Sequence, residues 1–173
     1  MRIGLLSDTH GYVDPSVLTH FSDCDEIWHA GDFGTLAVHD QLQAFKPLRG
    51  VWGNVDGAEV RICVQRDLEW ECEGLSVYMT HIGGYPGHYE WRVRGELQKR
   101  RPGLFICGHS HILKVMRDPS LGLIHLNPGA CGHQGWHTVR TLLRFTVEAG
   151  KIGGLEAIEL GPRGAMRSSA PRE

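Results

Sequence analysis

The sequence lacks the features of an exported, membrane-spanning or nucleic-acid-binding protein. No segment approaches the roughly 20 consecutive apolar residues of a membrane-spanning helix, and the apolar run at residues 3–6 is too short for a signal peptide. The net charge of −2 does not indicate an anionic partner. The five cysteines are odd in number and include no C-x-x-C pair. We therefore expect a cytoplasmic protein with reduced thiols, not a disulfide framework or a zinc ribbon.

The composition is that of one soluble globular domain, with 41% hydrophobic and 22% charged residues in a chain of 173. We expect this domain to cover residues 1–160. Residues 161–173 are rich in Gly, Pro, Ser and Arg, which predicts a disordered tail. The chain also contains 11 histidines and 23 glycines. Since histidine binds metals and carries protons near neutral pH, the positions of these histidines become informative.

Short apolar runs alternate with helical patterns in the first half of the chain. The runs at residues 3–6, 26–30 and 47–52 predict three strands. Asp14 precedes a proline and begins one predicted helix, and Thr35 begins another. This β-α-β-α-β order predicts a parallel or mixed sheet with helices on its faces.

The second half of the chain predicts mainly strands and hairpins. A charged amphipathic helix is expected over residues 89–100 and a short apolar strand over residues 104–107. The predicted strand pairs are 61–71 with 75–80, 112–117 with 122–126, and 138–148 with 151–160.

Five of the predicted strands end in residue types that bind metals. These residues are Asp8 and His10, Asp32, Asn54, His81, and His109 and His111. Because ligands bind at the carboxyl ends of strands in an open α/β sheet, we expect these side chains to converge there. Residues two apart point to the same side of an extended backbone. Asp8 and His10 can therefore bind one metal cluster together, and so can His109 and His111. The glycines that precede Asp32, Asn54 and His109 allow close packing behind the ligands.

This set of oxygen and imidazole ligands suits Mn, Fe, Zn, Ni or Co. Seven side chains are too many for a single tetrahedral zinc ion. They suit two ions if one carboxylate bridges them.

The ordered motifs Asp8-x-His10, Gly31-Asp32, Gly53-Asn54-Val55-Asp56, Thr80-His81 and Gly108-His109-Ser110-His111 resemble those of the calcineurin-like metallophosphoesterases. The similarity is greatest to their small single-domain prokaryotic branch, the phosphodiesterases of YfcE type, whose closing element resembles Asn127-Pro128-Gly129-Ala130. The resemblance implies an α/β fold, a four-layer α/β/β/α sandwich of two mixed sheets flanked by helices.

The same resemblance implies two divalent metal ions per chain, with manganese expected first and Ni, Fe, Zn or Co as alternatives. One ion would be held by Asp8, His10, Asp32 and His111, and the other by Asp32, Asn54, His81 and His109, with Asp32 bridging. Asn54 would lie near the phosphate, and Asn54, His81 and Asp32 are the residues expected at the chemistry. Two cations about 3.5–4 Å apart lower the pKa of a bridging water. We therefore expect a hydroxide to attack a small phosphate ester, with a diester favoured over a monoester.

The sequence departs from many superfamily members at Val55, where they carry a histidine that assists the leaving group. Valine cannot transfer a proton, so activated aryl diesters should react better than alkyl phosphates. His88, Tyr89 and Arg92 lie in or just after an unusual Gly-rich segment that follows His81, and we expect them to bind substrate. His88 could also replace the missing acid.

Two other functions compete with catalysis. One is a catalytically weak metal-binding scaffold for protein contacts on the same fold, and the other is an unrelated metal-binding regulator. The complete ligand set favours the enzyme, whereas Val55 favours the scaffold slightly. The oligomeric state stays open, and a homodimer or tetramer is compatible with the sequence. The remaining histidines are expected to be structural or on the surface, namely His20, His29, His39, His125, His133 and His137.

Overall fold

The structure of the protein, a computed structural model, describes residues 1–164. Its helices and strands in chain order are β1 Arg2–Leu6, α1 Pro15–His20, β2 Glu26–His29, α2 Leu36–Phe45, β3 Leu48–Gly50, α3 Ala58–Cys63, β4 Asp67–Cys72, β5 Leu75–Thr80, β6 Gly84–Tyr85, β7 His88–Tyr89, α4 Trp91–Arg100, β8 Leu104–Ile106, β9 Leu113–Asp118, β10 Leu123–Pro128, β11 Val139–Glu148 and β12 Lys151–Pro162. None of the helices in this described part is long and apolar enough to cross a membrane.

Most of these strands form two mixed five-stranded sheets. The first sheet has the order β12-β11-β1-β2-β3, in which β1, β2 and β3 are parallel and β11 and β12 are antiparallel. The second has the order β4-β5-β8-β10-β9, with β5, β8 and β10 parallel. The parallel strands are neighbours within each sheet, β1 to β3 in the first and β5, β8 and β10 in the second, which places their carboxyl ends at one edge.

The apolar core lies in three layers that confirm the predicted four-layer sandwich. Between the sheets, Leu5 and Trp28 of the first sheet belong to one buried cluster with Val77 and Ile106 of the second. A second cluster packs α1, α2 and α3 on the outer face of the first sheet. A third packs α4 on the outer face of the second sheet. Both faces of the central strands are thus buried, which explains their unbroken apolar sequences.

Helix α1 begins where the sequence predicts, because Asp14 and Pro15 provide the start signal. The Asp14 carboxylate accepts hydrogen bonds from the backbone N–H and the hydroxyl of Ser16, at 2.9 and 2.7 Å. Its other oxygen accepts from the Arg140 guanidinium at 2.7 Å. Arg140 also donates to the carbonyls of Leu160 and Pro162. One ion pair therefore joins α1 to the β11–β12 hairpin.

The predicted strand from residue 61 to residue 71 is wrong in its first half. Residues 58–63 form helix α3, and only Asp67–Cys72 form a strand paired with β5. Val60 and Val64 are four residues apart, and both pack into the cluster beneath the helices of the first sheet. This helical spacing is only one turn long, too short to stand out from the β-branched composition of the segment.

Two other predicted boundaries shift for local reasons. The predicted helix from residue 89 begins at Trp91, because Tyr89 pairs with Gly84 in a small hairpin. The carboxylate of Glu90 then caps the helix by accepting from the N–H of Val93. Strand β12 continues past the predicted domain end at residue 160, because Pro162 still pairs with Val139. Residues 165–173 of the predicted tail lie outside the described residues.

We predict that Asp14 stabilises the fold through two contributions, the helix cap and the ion pair with Arg140, which two substitutions can separate. Asp14→Ala removes the helix cap and the partner of Arg140, and should lower the free energy of unfolding by about 2–4 kcal/mol. Asp14→Asn retains a cap acceptor but loses the charge, and should cost about 1–2 kcal/mol. Urea unfolding at pH 7 measures both. The exposed Thr19→Ala in the same helix is the control, and equal losses in all three variants would contradict this assignment.

The contribution of the Asp14 charge should also depend on pH. Burial raises the pKa of Asp14, but the bonds from Ser16 and Arg140 outweigh burial and lower it to about 2. Because this folded-state pKa lies below the unfolded value of about 3.9, the stabilisation is complete above about pH 4 and is lost as the pH falls toward 2. The stability difference between the wild type and Asp14→Asn should shrink over that range. A difference that does not change with pH would exclude the ion pair as its source.

Candidate metal centre

The predicted ligand residues converge at the edge where the central strands of both sheets end. Two groups of side chains each bring their ligand atoms within 4.8 Å of one another. These groups are Asp8, His10 and His111, and Asp32, His81 and His109. Asp8 and Asp32 follow β1 and β2 of the first sheet, whereas the histidines after β5 and β8 come from the second sheet. The site is therefore built across the two sheets.

The two groups share one centre, and Asp32 faces both. Its Oδ2 atom lies 3.2 Å from Nε2 of His81 and 3.9 Å from Nε2 of His10. Oδ1 of Asp8 lies 3.1 Å from Nε2 of His111 and 3.9 Å from Nε2 of both His10 and His81. The His10 and His111 Nε2 atoms are 3.2 Å apart, close to the separation of about 3 Å expected for two nitrogens bound to one metal ion. Asp32 and Asp8 thus each lie near histidines of both groups.

The two carboxylates are buried without a lysine or arginine to neutralise them. Asp8 is 0% exposed and Asp32 2% exposed. One oxygen of each accepts a backbone N–H, from His109 to Asp8 at 3.1 Å and from Val55 to Asp32 at 3.0 Å. Within residues 1–164 neither carboxylate has a lysine or arginine within ion-pair distance. Since buried charges are normally paired or bound to metals, this pair requires a cationic partner.

Unpaired polar atoms at the centre support the same requirement. In the described part of the chain, Asp8 Oδ1 and His81 Nε2 are buried and make no hydrogen bond. The short distances to their neighbours therefore do not have hydrogen-bond geometry. Nδ1 of His81 donates to the carbonyl of Ala30 at 2.8 Å, which directs Nε2 toward the carboxylates. The residues present thus fit divalent metal ions.

The electrostatics of the histidines follow from burial and from the two carboxylates. Burial lowers the pKa of His10 and of His109, which favours the neutral imidazole that binds metals. Burial also opposes protonation of His81, but the nearby carboxylates of Asp32 and Asp8 outweigh it and raise its pKa. The negative charge that holds a proton on His81 would equally attract a divalent cation.

The backbone of the ligand loops differs from the extended conformation expected from the sequence. Asp8, His10, Asp32, His109 and His111 have φ values of 55°, 48°, 58°, 65° and 58°. These lie in the left-handed region, which non-glycine residues rarely adopt and which costs about 1–3 kcal/mol for each residue. The prediction that each pair of ligands shares one side of an extended segment is therefore wrong in its geometry. The side chains still converge, because each loop curls around the centre.

Three glycines permit this close arrangement, as predicted. A Cβ atom at Gly31 would lie 2.5 Å from Nδ1 of His81. One at Gly53 would overlap the Asp32 carboxylate, and one at Gly108 would lie 2.8 Å from Asp8 Oδ2. Larger residues here would displace the ligands directly.

Asn54 is exposed at the rim of the centre. It borders one depression with Asp32 and His109 and a second with His81. Asp56 stabilises this rim, because its two oxygens accept the N–H groups of Gly53 and Gly34, both at 2.8 Å.

The three predicted substrate-binding residues have different surroundings. Arg92 lines the depression beside Asn54 and His81, although its guanidinium also pairs with Asp67 at 2.9 Å. The Tyr89 hydroxyl donates to the Asp118 carboxylate at 2.8 Å, so a structural contact already uses it. His88 is exposed on β7, at the mouth of a separate cavity.

Sequence reasoning missed a residue that orients one ligand. His137 Nε2 donates to the carbonyl of Gly132 at 3.1 Å, so in the neutral ring Nδ1 can only accept. Burial lowers the pKa of His137, which favours this neutral form. His111 Nδ1 lies 3.3 Å away and donates to it, leaving the His111 Nε2 lone pair toward Asp8. No local pattern identifies such a residue, because His137 lies 26 positions from His111.

Comparison with known families agrees with this fold. A family profile, the calcineurin-like phosphoesterase superfamily domain, matches residues 1–150. The chain therefore belongs to the calcineurin-like phosphoesterase superfamily.

Similar proteins come from archaea and from eukaryotes. A probable metallophosphoesterase of Methanothermobacter thermautotrophicus is 29% identical over 144 residues, covering 75% of this chain and 77% of that protein. The structure of an archaeal phosphodiesterase is 21% identical with a TM-score of 0.72, covering 92% of this chain and 100% of the other. Vps29 from Entamoeba histolytica, solved with Zn²⁺, is 13% identical with a TM-score of 0.71, covering 95% and 100%. The two structural likenesses show the fold.

We predict that His137→Ala weakens metal binding without unfolding the protein. Loss of the acceptor for His111 Nδ1 should lower the metal affinity of the site formed by Asp8, His10 and His111 about 10–100-fold. Calorimetric titration of metal-stripped protein with Mn²⁺ measures this change. Gln134→Ala, an exposed residue of the same loop, should leave the affinity unchanged. His137→Gln, which keeps an acceptor, should restore part of it, and equal affinities in all variants would exclude an orienting role.

Proposed function

We propose that the protein is a phosphodiesterase that depends on a dinuclear metal site. The observation that carries this proposal is the pair of buried carboxylates, Asp8 and Asp32, facing two groups of histidines with no lysine or arginine partner among the described residues. The proposed ligands are Asp8, His10, Asp32, Asn54, His81, His109 and His111, with Asp32 shared between the ions. When bound, two divalent cations would activate water and stabilise negative charge on the phosphoryl group.

The side chains of this chain would position the ions and the substrate. The carboxylates each retain one backbone hydrogen bond, which fixes the orientation of the oxygen that faces the centre. Asn54 is exposed and borders the depression beside Asp32 and His109, so its amide would contact the phosphate of an incoming ester. We propose His81 and Asp32, together with Asn54, as the residues closest to the reaction.

The charge beside the centre favours a diester over a monoester. Arg66 and Arg92 line the depression next to Asn54 and His81. Arg92 is already paired with Asp67, whereas Arg66 has no carboxylate partner within residues 1–164. A diester carries one negative charge and a monoester close to two at neutral pH. One available arginine beside the metal site therefore matches the diester better.

Val55 restricts the leaving group. Its side chain is 47% exposed at the rim, and only its backbone N–H contacts the site, through Asp32. No proton donor is present at this position, so the leaving group must depart as a stable anion. Activated aryl esters meet this condition.

The alternative proposal, a metal-binding scaffold with weak activity, is supported by the exposed apolar residues around the same rim. Trp136 is fully exposed beside His111, and Ile112 and Val55 are also exposed. A scaffold would bind metal tightly without turning over any phosphate ester. This outcome separates the two functions.

We predict that Asp32→Asn abolishes hydrolysis of bis(p-nitrophenyl) phosphate. Asparagine cannot supply the charge that two ions share, so activity should fall at least about 1,000-fold. The assay should test Mn, Ni, Fe, Zn and Co separately, with manganese expected to give the highest rate. Asp40→Asn, an exposed residue of α2, should keep the wild-type rate. If the wild type hydrolyses no phosphate ester with any of these metals, the enzyme proposal is wrong and the scaffold is favoured.

We predict that Val55→His improves turnover of esters with poor leaving groups. An imidazole at this exposed rim could protonate an alkoxide, which should raise the rate for an alkyl phosphodiester about tenfold or more. The rate for the p-nitrophenyl ester, which needs no proton, should change less. Val55→Ala controls for removal of the valine. An equal change for both substrates would show that position 55 does not control proton transfer.

A further inference from the structure

A cavity lies beside the proposed metal centre, between the β6–β7 hairpin and the strands β9 and β10. Its volume is about 290 Å³. Tyr85 and His88 line it from the hairpin, Lys114 and His125 line it from the sheet, and His109 borders it on the side of the metal centre. A group attached to a phosphate at the metal centre could therefore extend past His109 into this cavity.

His125 lines the cavity with hydrogen-bonding capacity that the described protein does not use. Its side chain is 0% exposed, and neither ring nitrogen has a hydrogen-bond partner within residues 1–164. Burial lowers its pKa to about 4, so the neutral ring offers one N–H donor and one acceptor. Buried polar groups are almost always paired, which indicates that a ligand or ordered water completes this site. Because the ring is covered, a ligand reaches it only when side chains at the mouth turn aside.

The mouth of the cavity offers an aromatic surface and a cation. Nζ of Lys114 lies 3.6 Å from the centre of the Tyr85 ring, and the ring of His88 lies 4.9 Å from that of Tyr85. In the part of the chain that is described, Lys114 has no carboxylate within ion-pair distance. Aromatic side chains next to a cation are the surfaces on which heterocyclic bases stack. A simple alkyl group would use neither this surface nor His125.

We propose that this cavity, the hairpin subsite, binds the second ester group of the phosphodiester, and that this group is a nucleoside. The inference rests on the proposed function, since the phosphate must lie beside His109. It assigns the Gly-rich segment after His81 a role in substrate selection. Tyr85 and His88 would stack with the base, and His125 would hydrogen-bond to its ring atoms.

The test compares diesters that all release p-nitrophenolate and differ only in the second ester group. The substrates are the p-nitrophenyl esters of methyl phosphate, phenyl phosphate and thymidine 5′-phosphate. Because the leaving group is constant, the missing acid at position 55 affects all three equally. We expect the KM of the thymidine ester to be about tenfold or more below that of the methyl ester, as base stacking allows. The phenyl ester should lie between them, because it can stack but cannot use His125.

Two substitutions then locate the preference. Tyr85→Ala should remove most of the difference in KM between the thymidine and methyl esters. His125→Phe keeps a ring of similar size and should raise the KM of the thymidine ester toward that of the phenyl ester. Neither should change kcat for the methyl ester, which also shows that each variant is folded. Trp91→Ala, an exposed aromatic outside the cavity, is the control for Tyr85→Ala.

The outcomes separate this proposal from the proposed function. If the methyl ester is hydrolysed and all three KM values are equal, the enzyme stands and the hairpin subsite is wrong. The hairpin subsite is also wrong if both variants keep the lower KM for the thymidine ester. If no ester is hydrolysed, saturation-transfer NMR with thymidine 5′-monophosphate and zinc-loaded protein tests whether the hairpin subsite binds the nucleoside. Saturation of the thymine protons that is lost in Tyr85→Ala supports the subsite, and its absence in the wild type overturns it.

Discussion

The arrangement of this protein depends on two carboxylates that are buried side by side. Asp8 and Asp32 lie at the ends of adjacent parallel strands, and both are inaccessible to water. Two buried negative charges repel each other and lose their hydration, which disfavours the folded state unless cations are present. A site that holds such cations explains three features around the carboxylates: the surrounding histidines, the strained loops and the close-packed glycines.

The two-sheet architecture makes that structure possible. Each sheet has adjacent parallel strands, so that Asp8, His10 and Asp32 come from the first sheet and His81, His109 and His111 from the second. Left-handed backbone at five ligand positions has a cost that packing in the sandwich and bound metal would offset. The loop from Gly132 to His137 closes the same edge and fixes the orientation of His111. Removing metal should therefore affect the stability of these loops as well as activity.

The convergence of these side chains could be predicted because each follows a local rule in the sequence, whereas the rest of the site depends on contacts between distant segments. Asp8, Asp32 and His81 each come directly after an apolar strand, which is visible in the sequence. The left-handed conformation at Asp8 is not visible, because it results from the loop closing on the second sheet. His125 is in the middle of an apolar strand, and only the fold shows that it borders a cavity with both ring nitrogens unpartnered among the described residues.

The same distinction explains the errors in secondary structure. Helix α1 was predictable because Asp14 and Pro15 are a strong local signal. Helix α3 has six residues and a glycine cap that makes no side-chain hydrogen bond, so tertiary packing of Val60 decides its conformation. Short elements of this kind take their structure from the core they cover.

The most direct test of the account is to count and characterise the metal ions bound by the protein. Metal-stripped wild-type protein is titrated with Mn²⁺ and followed by electron paramagnetic resonance, which reports both stoichiometry and magnetic coupling. The account predicts two ions per chain whose spins are coupled, because Asp32 bridges ions about 3.5–4 Å apart. A single ion per chain, or two ions without coupling, would contradict it.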